Sequence, residues 1–398
     1  MEKVRIATVG ASGYGRIYYE QILRLVDEGK VEFKGIVIRT PAKVPAALAI
    51  LQPRGVPVFS STEELYEACR GELDLICFPT GIQDHERMMK EALAQGLDVL
   101  VEKPVSGSID SVRRMIKTEE QSNNWVVVGF QHMAAREIHK LKRMILKGAI
   151  GELQRVSIMG IWPRDDSYYN RNNWAGKVRS DGEFVLDSPV NNAFAHFLNI
   201  GLFLAGDSFD KTARVRQVSC ELYRVRPVEL FDVCSIRFVT GKNVSVVCQF
   251  AHTADKNYDP RIEVVGSKGR AVWKYREQAF RIETSAGAVV EERGGEPITR
   301  MFDDLVEKYS NPETFTCSLK LAGAHSYCVS LLYKHQQIHD ISRDFVLRTE
   351  PDGQYILENV AGFMTEAFER GVLLSELGTV PWAVPPVSFD AEEDISIA

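Results

Sequence analysis

"VRIATVGASGYGRIYYEQI", residues 4–22, decides the fold of the first part of this chain. Apolar residues fill 4–9, glycines stand at 10, 13 and 15, and a helical pattern runs on from Gly15 to Val26. A strand, a glycine turn and a helix in that order let a dinucleotide's pyrophosphate approach the backbone and meet the positive end of the helix. Gly10, Ser12, Gly13, Tyr14 and Gly15 are therefore the candidate pyrophosphate residues. The spacing departs from GxGxxG, because Ser12 takes the second position and Gly13 follows it. Glycine turns also serve packing alone, so the strand-to-helix frame carries the argument.

Outward from this stretch, short apolar runs at 31–38, 73–78 and 97–101 alternate with helical patterns such as 83–95, which ends at Gly96 where a C-cap glycine belongs. Such alternation predicts a parallel, doubly wound sheet covered on both faces. The second strand ends "GIVIRTPAK", residues 35–43, with Arg39 and Thr40 where an acidic residue would hold the 2′-hydroxyl of NAD. A guanidinium and a hydroxyl suit a 2′-phosphate, so NADP is favoured over NAD.

The second half changes character. Candidate strands lie at 153–162, 213–225, 229–240, 243–252, 261–266, 269–275, 278–284 and 287–293, with helical patterns at 301–309, 316–340 and 355–371. Hairpin spacing predicts a large, mostly antiparallel sheet in an α+β domain. The expected division is 1–124 for nucleotide binding and 125–398 for substrate and oligomer contacts, with a helical extension at the C-terminus. One sheet face would stay open unless a partner buried it, which predicts a homo-oligomer.

The 398 residues carry a net charge of -6 with an isoelectric point near 5.9, which argues against a nucleic-acid partner. No apolar run is long enough to span a bilayer, and the N-terminus leads straight into a strand. Seven cysteines with no CxxC pair suggest reduced, buried thiols and a cytoplasmic protein. His335 and His339, four apart on an expected helix, could face one metal, but no further ligand pattern accompanies them. No metal site is expected.

"VEKPVSGS", residues 101–108, ends an apolar run on Glu102, Lys103 and Pro104. The carboxyl end of a strand in an open α/β sheet is where ligands bind. A lysine there can hydrogen-bond a substrate hydroxyl and take its proton when its pKa is drawn down.

Several segments, in order, resemble the glucose–fructose oxidoreductase, inositol dehydrogenase and MocA-like family, whose first domain is a Rossmann fold. They are the glycine loop, "CFPTGIQDH" (77–85), "GLDVLVEKPVS" (96–106), "VVVGFQHM" (126–133) with "ILKGAIGELQRVSI" (145–158), and "DSPVNNAFAHFLNIGLFLAG" (187–206). The resemblance implies Thr80, His85, Glu102 and Lys103 near the cofactor, and Lys103 as acid/base beside the nicotinamide. It implies His196 as the histidine of the last segment. Family members usually carry Asp four residues before it, where this chain has Asn192. Asparagine orients but cannot titrate, so either Lys103 and His196 suffice, Asp187 folds back from a loop, or redox activity is lost. Asn192→Asp is expected to be tolerated.

"WPRDDSYYNRNNWAGKVRSDGE", residues 162–183, is polar yet aromatic. Tyr168, Tyr169 and Trp174 offer flat faces, and Arg171 and Asn172 offer hydrogen bonds, a mixture that suits a sugar or polyol. A subunit contact would use it nearly as well. The function expected from these features is hydride transfer between a nicotinamide and a secondary alcohol or ketone of a sugar, polyol or derivative. The competing expectation is a catalytically silent, NADP-binding redox sensor. A semialdehyde dehydrogenase would need a cysteine early in the second domain, and none lies between Cys77 and Cys220.

Overall fold

The computed structural model describes residues 3–287, 289–349 and 352–391. They form two compact units. The first runs to Ser106 and adds Asp110–Ala135 and Glu296–Ala322; the second holds Gly107–Ile109, Arg136–Gly295 and the chain from Gly323 onward.

The first unit is built on β1 (Val4–Val9), β2 (Val31–Val37), β3 (Val58–Phe59), β4 (Leu75–Phe78), β5 (Asp98–Val101) and β6 (Val126–Val128). Their order is β3-β2-β1-β4-β5-β6 and every pairing is parallel. The order reverses at β1, which is the switch point where ligands bind in such sheets. The connecting helices are α1 (Tyr14–Asp27), α2 (Pro45–Leu51), α3 (Thr62–Ala68), α4 (His85–Ala94) and α5 (Ile109–Glu120). β4 and β5 are buried at every position, as central parallel strands must be. The boundary falls later than 124. β6 completes the parallel sheet by pairing with β5, and its free edge is tied by Val128 N–H to the Cys317 carbonyl at 2.8 Å.

The second unit begins with α6 (Arg136–Leu146) and β7 (Leu153–Ile161), then the one-turn α7 (Asp166–Tyr169) and the small hairpin β8 (Arg179–Ser180) with β9 (Glu183–Phe184). After α8 (Ala195–Ala205) come β10 (Val215–Arg224), β11 (Val233–Thr240), β12 (Ser245–Ala251), β13 (Tyr258–Gly266), β14 (Gly269–Lys274), β15 (Ala279–Thr284) and β16 (Val289–Arg293). α9 (Pro297–Lys308) returns to the first unit, where Phe302 meets the Tyr18 ring edge-on at 5.2 Å. α10 (Leu319–Lys334), β17 (Ile338–Asp340), β18 (Val346–Arg348), β19 (Tyr355–Leu357), α11 (Val360–Arg370) and β20 (Val387–Asp390) complete the chain. The large sheet runs β16-β15-β14-β13-β7-β12-β11-β10-β17, antiparallel except at β7–β12 and β10–β17.

Both faces of its centre are covered. Gly201 of α8 lets the helix sit against Ile158, and Phe194 stacks on Phe250 at 4.7 Å. On the opposite face, the chain from Ile341 to Val384 forms a core with Met159, Ile161, Tyr223, Val233 and Ala251. The centre of the sheet face expected to stay open for a partner is therefore covered by the C-terminal extension. Its polar residues are matched to that segment's backbone. Gln249 donates to the Val372 carbonyl at 2.9 Å, Leu374 N–H to Ser235 at 3.2 Å, and the Ser375 hydroxyl to Glu221 at 2.6 Å. The helix expected over 316–340 also ends early, at Lys334, so His339 lies in β17 and the histidine pair does not share a helix face. Among the described residues no cluster could hold a metal ion, and no helix is long and apolar enough to cross a membrane. All seven cysteines are free and buried.

Candidate active site

The glycine turn has the geometry its sequence suggested. Gly10 and Gly13 have φ of 91° and 54°, conformations that glycine adopts without strain. A Cβ on either would project into open space, whereas one on Gly15 would lie 2.5 Å from the Gly10 carbonyl oxygen. α1 starts at Tyr14 with no side-chain cap and no acidic residue in its first turn. Its positive end is thus left for an anion, and the residues present fit a dinucleotide. Arg39 and Thr40 are exposed just past β2.

The Lys103 turn is held from beneath. His85, the first residue of α4, is fully buried, and its Nδ1 faces the carbonyls of Pro104 and Val105, each at 3.1 Å. Nε2 lies 3.3 Å from the Thr80 carbonyl. Burial lowers the His85 pKa, so a neutral ring donates through one nitrogen, and the shorter Nδ1 contacts favour that tautomer. His85 was expected among the cofactor residues; with no exposed surface it acts by fixing the turn. The Lys103–Pro104 peptide is cis.

Glu102, also expected to face the cofactor, is buried and accepts a 2.6 Å hydrogen bond from the Tyr18 hydroxyl. Gly129 makes room for that pair, since a Cβ there would lie 2.6 Å from the Tyr18 oxygen and 2.7 Å from Glu102. Burial pushes the Glu102 carboxyl up to about 7, against the pull of Lys103 and Tyr18. His132, outside the residues expected at the site, is buried, and its pKa is lowered to about 4, first by burial and then by the Lys103 charge. It lies inside the "VVVGFQHM" segment already singled out, so the signal was present. Tyr14 is tied to the same segment by a 2.9 Å bond to Gln131.

The second unit brings Asn192, Asp187 and Tyr168 together. α8 begins at Ala195, so 187–194 is a turn rather than a helix, and Asp187 folds back. The fold-back starts at Leu186, whose φ of 46° is the left-handed region, a strain of about 1 kcal/mol or more for a residue with a Cβ. Asp187 Oδ2 accepts from Gly176 N–H at 2.6 Å, and Oδ1 accepts from Asn192 Nδ2 at 2.8 Å. Asn192 Nδ2 also donates to the Tyr168 hydroxyl at 3.2 Å, which fixes the sense of the amide. The carboxylate absent at position 192 is therefore supplied beside it from position 187. His196 stands in the first turn of α8, buried, with its ring against Phe197 at 6.4 Å.

The aromatic stretch divides. Arg171 lies over the Tyr168 ring at 3.6 Å and 5.1 Å from Trp174. Tyr169 packs inward under the buried Arg226 at 4.7 Å. The Asn172 side-chain oxygen accepts from the backbone of Trp174 and Ala175 at 3.1 and 2.8 Å, so that side chain shapes the turn.

Residues 4–130 match the oxidoreductase family with an NAD-binding Rossmann fold, and 138–272 match the GFO/IDH/MocA C-terminal domain. The chain belongs to the Gfo/Idh/MocA oxidoreductase family. An inositol 2-dehydrogenase of Corynebacterium glutamicum is 25% identical over 191 residues, 48% of this chain and 52% of that enzyme. The match thus spans about half the relative's length. Another, from Rhizobium meliloti, is 23% identical over 71% of this chain and 79% of its own. A WlbA dehydrogenase from Bordetella pertussis, solved with NADH and UDP-GlcNAcA, superposes with a TM-score of 0.69 at 20% identity, covering 84% of this chain and 96% of that one.

Proposed function

We propose that this chain is an NAD(P)-dependent dehydrogenase that moves a hydride between the nicotinamide and a secondary alcohol or ketone of a sugar, polyol or related derivative. The observation that carries the reading is Lys103 at the carboxyl end of β5, on a turn fastened by the buried His85 ring. The names of the relatives, inositol and sugar-nucleotide dehydrogenases among them, support the substrate class. When bound, the nicotinamide supplies hydride chemistry; the chain's residues handle the proton and the alignment. Lys103 takes the hydroxyl proton, His196 orients the reacting oxygen, and Asn192 holds it with neutral hydrogen bonds while Asp187 holds Asn192.

The glycine turn, with Ser12 and Tyr14, would hold the pyrophosphate, and Thr80 and Glu102 would line or support the nicotinamide end. Arg39 and Thr40 favour NADP, because an exposed guanidinium and hydroxyl can take a 2′-phosphate. Arg39→Asp is expected to weaken NADPH binding roughly tenfold while sparing NADH, the effect of one charge-assisted contact. Cofactor titration checks this, and tighter NADH binding by the unaltered protein would remove the argument. With the sheet face covered, the expectation of a homo-oligomer rests on family resemblance, and light scattering tests it.

The test of the function is a panel of sugars and polyols with NAD+ and NADP+, read by formation of reduced nicotinamide. Turnover that depends on Lys103 supports the reading. Tight cofactor binding without turnover across the panel would favour the redox-sensing alternative instead.

A further inference from the structure

Two arginines beside the Asn192–Tyr168 pair have no acidic partner. Arg164 lies over one part of the Tyr168 ring at 4.5 Å and Arg171 over the ring at 3.6 Å. Neither guanidinium forms an ion pair with any described residue. The Nε of Arg164 is buried without a hydrogen-bond partner.

The acids close by in sequence are already engaged. Asp165 caps α7, accepting from Tyr168 N–H at 2.9 Å and from Ser167 at 2.7 Å. Asp166 pairs with Arg226 and with Arg348, the latter at 3.0 Å. Asp187 is bound to Gly176 and Asn192. His252, whose Nδ1 lies 2.8 Å from the Trp162 carbonyl, is held neutral by burial and by the charges of Arg164 and Arg171, so it does not compete for an anion. The two positive charges are left over.

The buried Nε of Arg164 is costly to leave without an acceptor, and a negative group would supply one while also meeting the exposed Arg171 charge. The surroundings fit a ring-bearing ligand. Trp162, 5.8 Å from Arg164, and Trp174, 5.1 Å from Arg171, add flat apolar faces beside the two guanidinium groups. Tyr168 is in turn bonded to Asn192, which places the cationic pair within a sugar's length of the residue expected to hold the reacting hydroxyl.

We infer that the substrate is an anionic sugar derivative, one carrying a carboxylate or a phosphate, whose negative group is taken by Arg164 and Arg171. This rests on the dehydrogenase reading above and narrows its substrate class. Arg171 is exposed and supplies the fork that recruits the anion, while Arg164 sits deeper and fixes it.

The experiment uses the full chain with NADP+ and, in parallel, NAD+, and matched probes: glucose, glucuronate and glucose 6-phosphate, then myo-inositol and inositol 1-phosphate. Binding is read by calorimetry and turnover by reduced nicotinamide. At least one anionic probe is expected to bind roughly tenfold or more tightly than its neutral partner. Arg171→Met should cost that advantage without changing NAD+ affinity, and as an exposed position it avoids the folding risk of Arg164→Met. Carboxylate and phosphate arms tell the two sources of charge apart. If neutral probes bind and react as well as charged ones, the inference falls and the dehydrogenase reading stands. If anionic probes bind through Arg171 but none is oxidised with either cofactor, the anion site stands as a binding site, while the dehydrogenase reading and with it the substrate claim fall. If no anionic probe binds, the inference is overturned.

Discussion

Two turns, 102–106 in the first unit and 185–192 in the second, each carry candidate polar groups, and they are fastened in different ways. The first follows a fully buried parallel strand and is clasped by one imidazole acting on two carbonyls. Its restraint is local to the sheet's carboxyl edge, where α4 starts. The second has no strand to lean on. It depends on a left-handed leucine and on Asp187, whose two oxygens bind a backbone N–H eleven residues earlier in the chain and an amide five residues later. A charged residue can thus be positioned either by what lies under its backbone or by saturating its own side chain. The first kind is fastened through its backbone; the second commits its charge to orienting a neighbour.

That contrast can be broken experimentally. Lys103→Ala is expected to lower turnover by about two to four orders of magnitude, the usual span for a positioned general base, with cofactor affinity nearly intact. Steady-state rates and a cofactor titration read both halves. Near-normal turnover would move the acid/base role away from the first turn.

Glu102 tests the support beneath that turn. Its folded pKa is raised to about 7 by burial, so the folded state holds the proton more tightly than the unfolded chain does. Its contribution is therefore full below the unfolded value and is lost as pH rises through about 7, amounting to something on the order of 3 kcal/mol. Glu102→Gln should flatten the decline in denaturation midpoint across that window. An unchanged pH profile would show that Glu102 is already ionised in the folded protein.

The second turn carries the smaller expected effect. Asp187→Asn should reduce turnover by roughly ten- to a hundredfold, the value of one charged hydrogen bond. Asn192→Asp, which sequence alone marked as tolerable, would place a second carboxylate against Asp187, at the 2.8 Å contact now made by the amide. Like charges that close cannot both ionise, so the variant should lose activity near neutral pH and recover as pH falls. The double exchange Asp187→Asn with Asn192→Asp restores one carboxylate and one amide, and should recover much of the loss. Additive losses in the double variant would deny the coupling.

Legibility differed between the two turns for a physical reason. The strand-end lysine and the glycine turn follow from local rules, because the chain on either side of them already dictates strand, turn and helix. His85 was legible as a motif residue, but its task was not, since burial beneath a backbone turn is a tertiary fact. The Asp187–Asn192 contact stayed open in the sequence, because it hinges on whether residues 187–194 are helix or turn. The covered sheet face misled for another reason. Nothing local in Glu221, Ser235 or Gln249 names a partner, and only their bonds to 372–375 reveal a docking surface.

What the sequence by itself determined is therefore the Rossmann sheet, the pyrophosphate turn, Lys103 at a strand end and the large second sheet, all consequences of periodicity and of what glycine and proline permit locally. Tertiary structure alone decided that Asp187 stands beside Asn192, that Arg164 and Arg171 lack acidic partners among the described residues, and that the extension covers the centre of the sheet. Each of these depends on contacts whose charge and hydrogen-bond matching is settled only when distant segments are brought together.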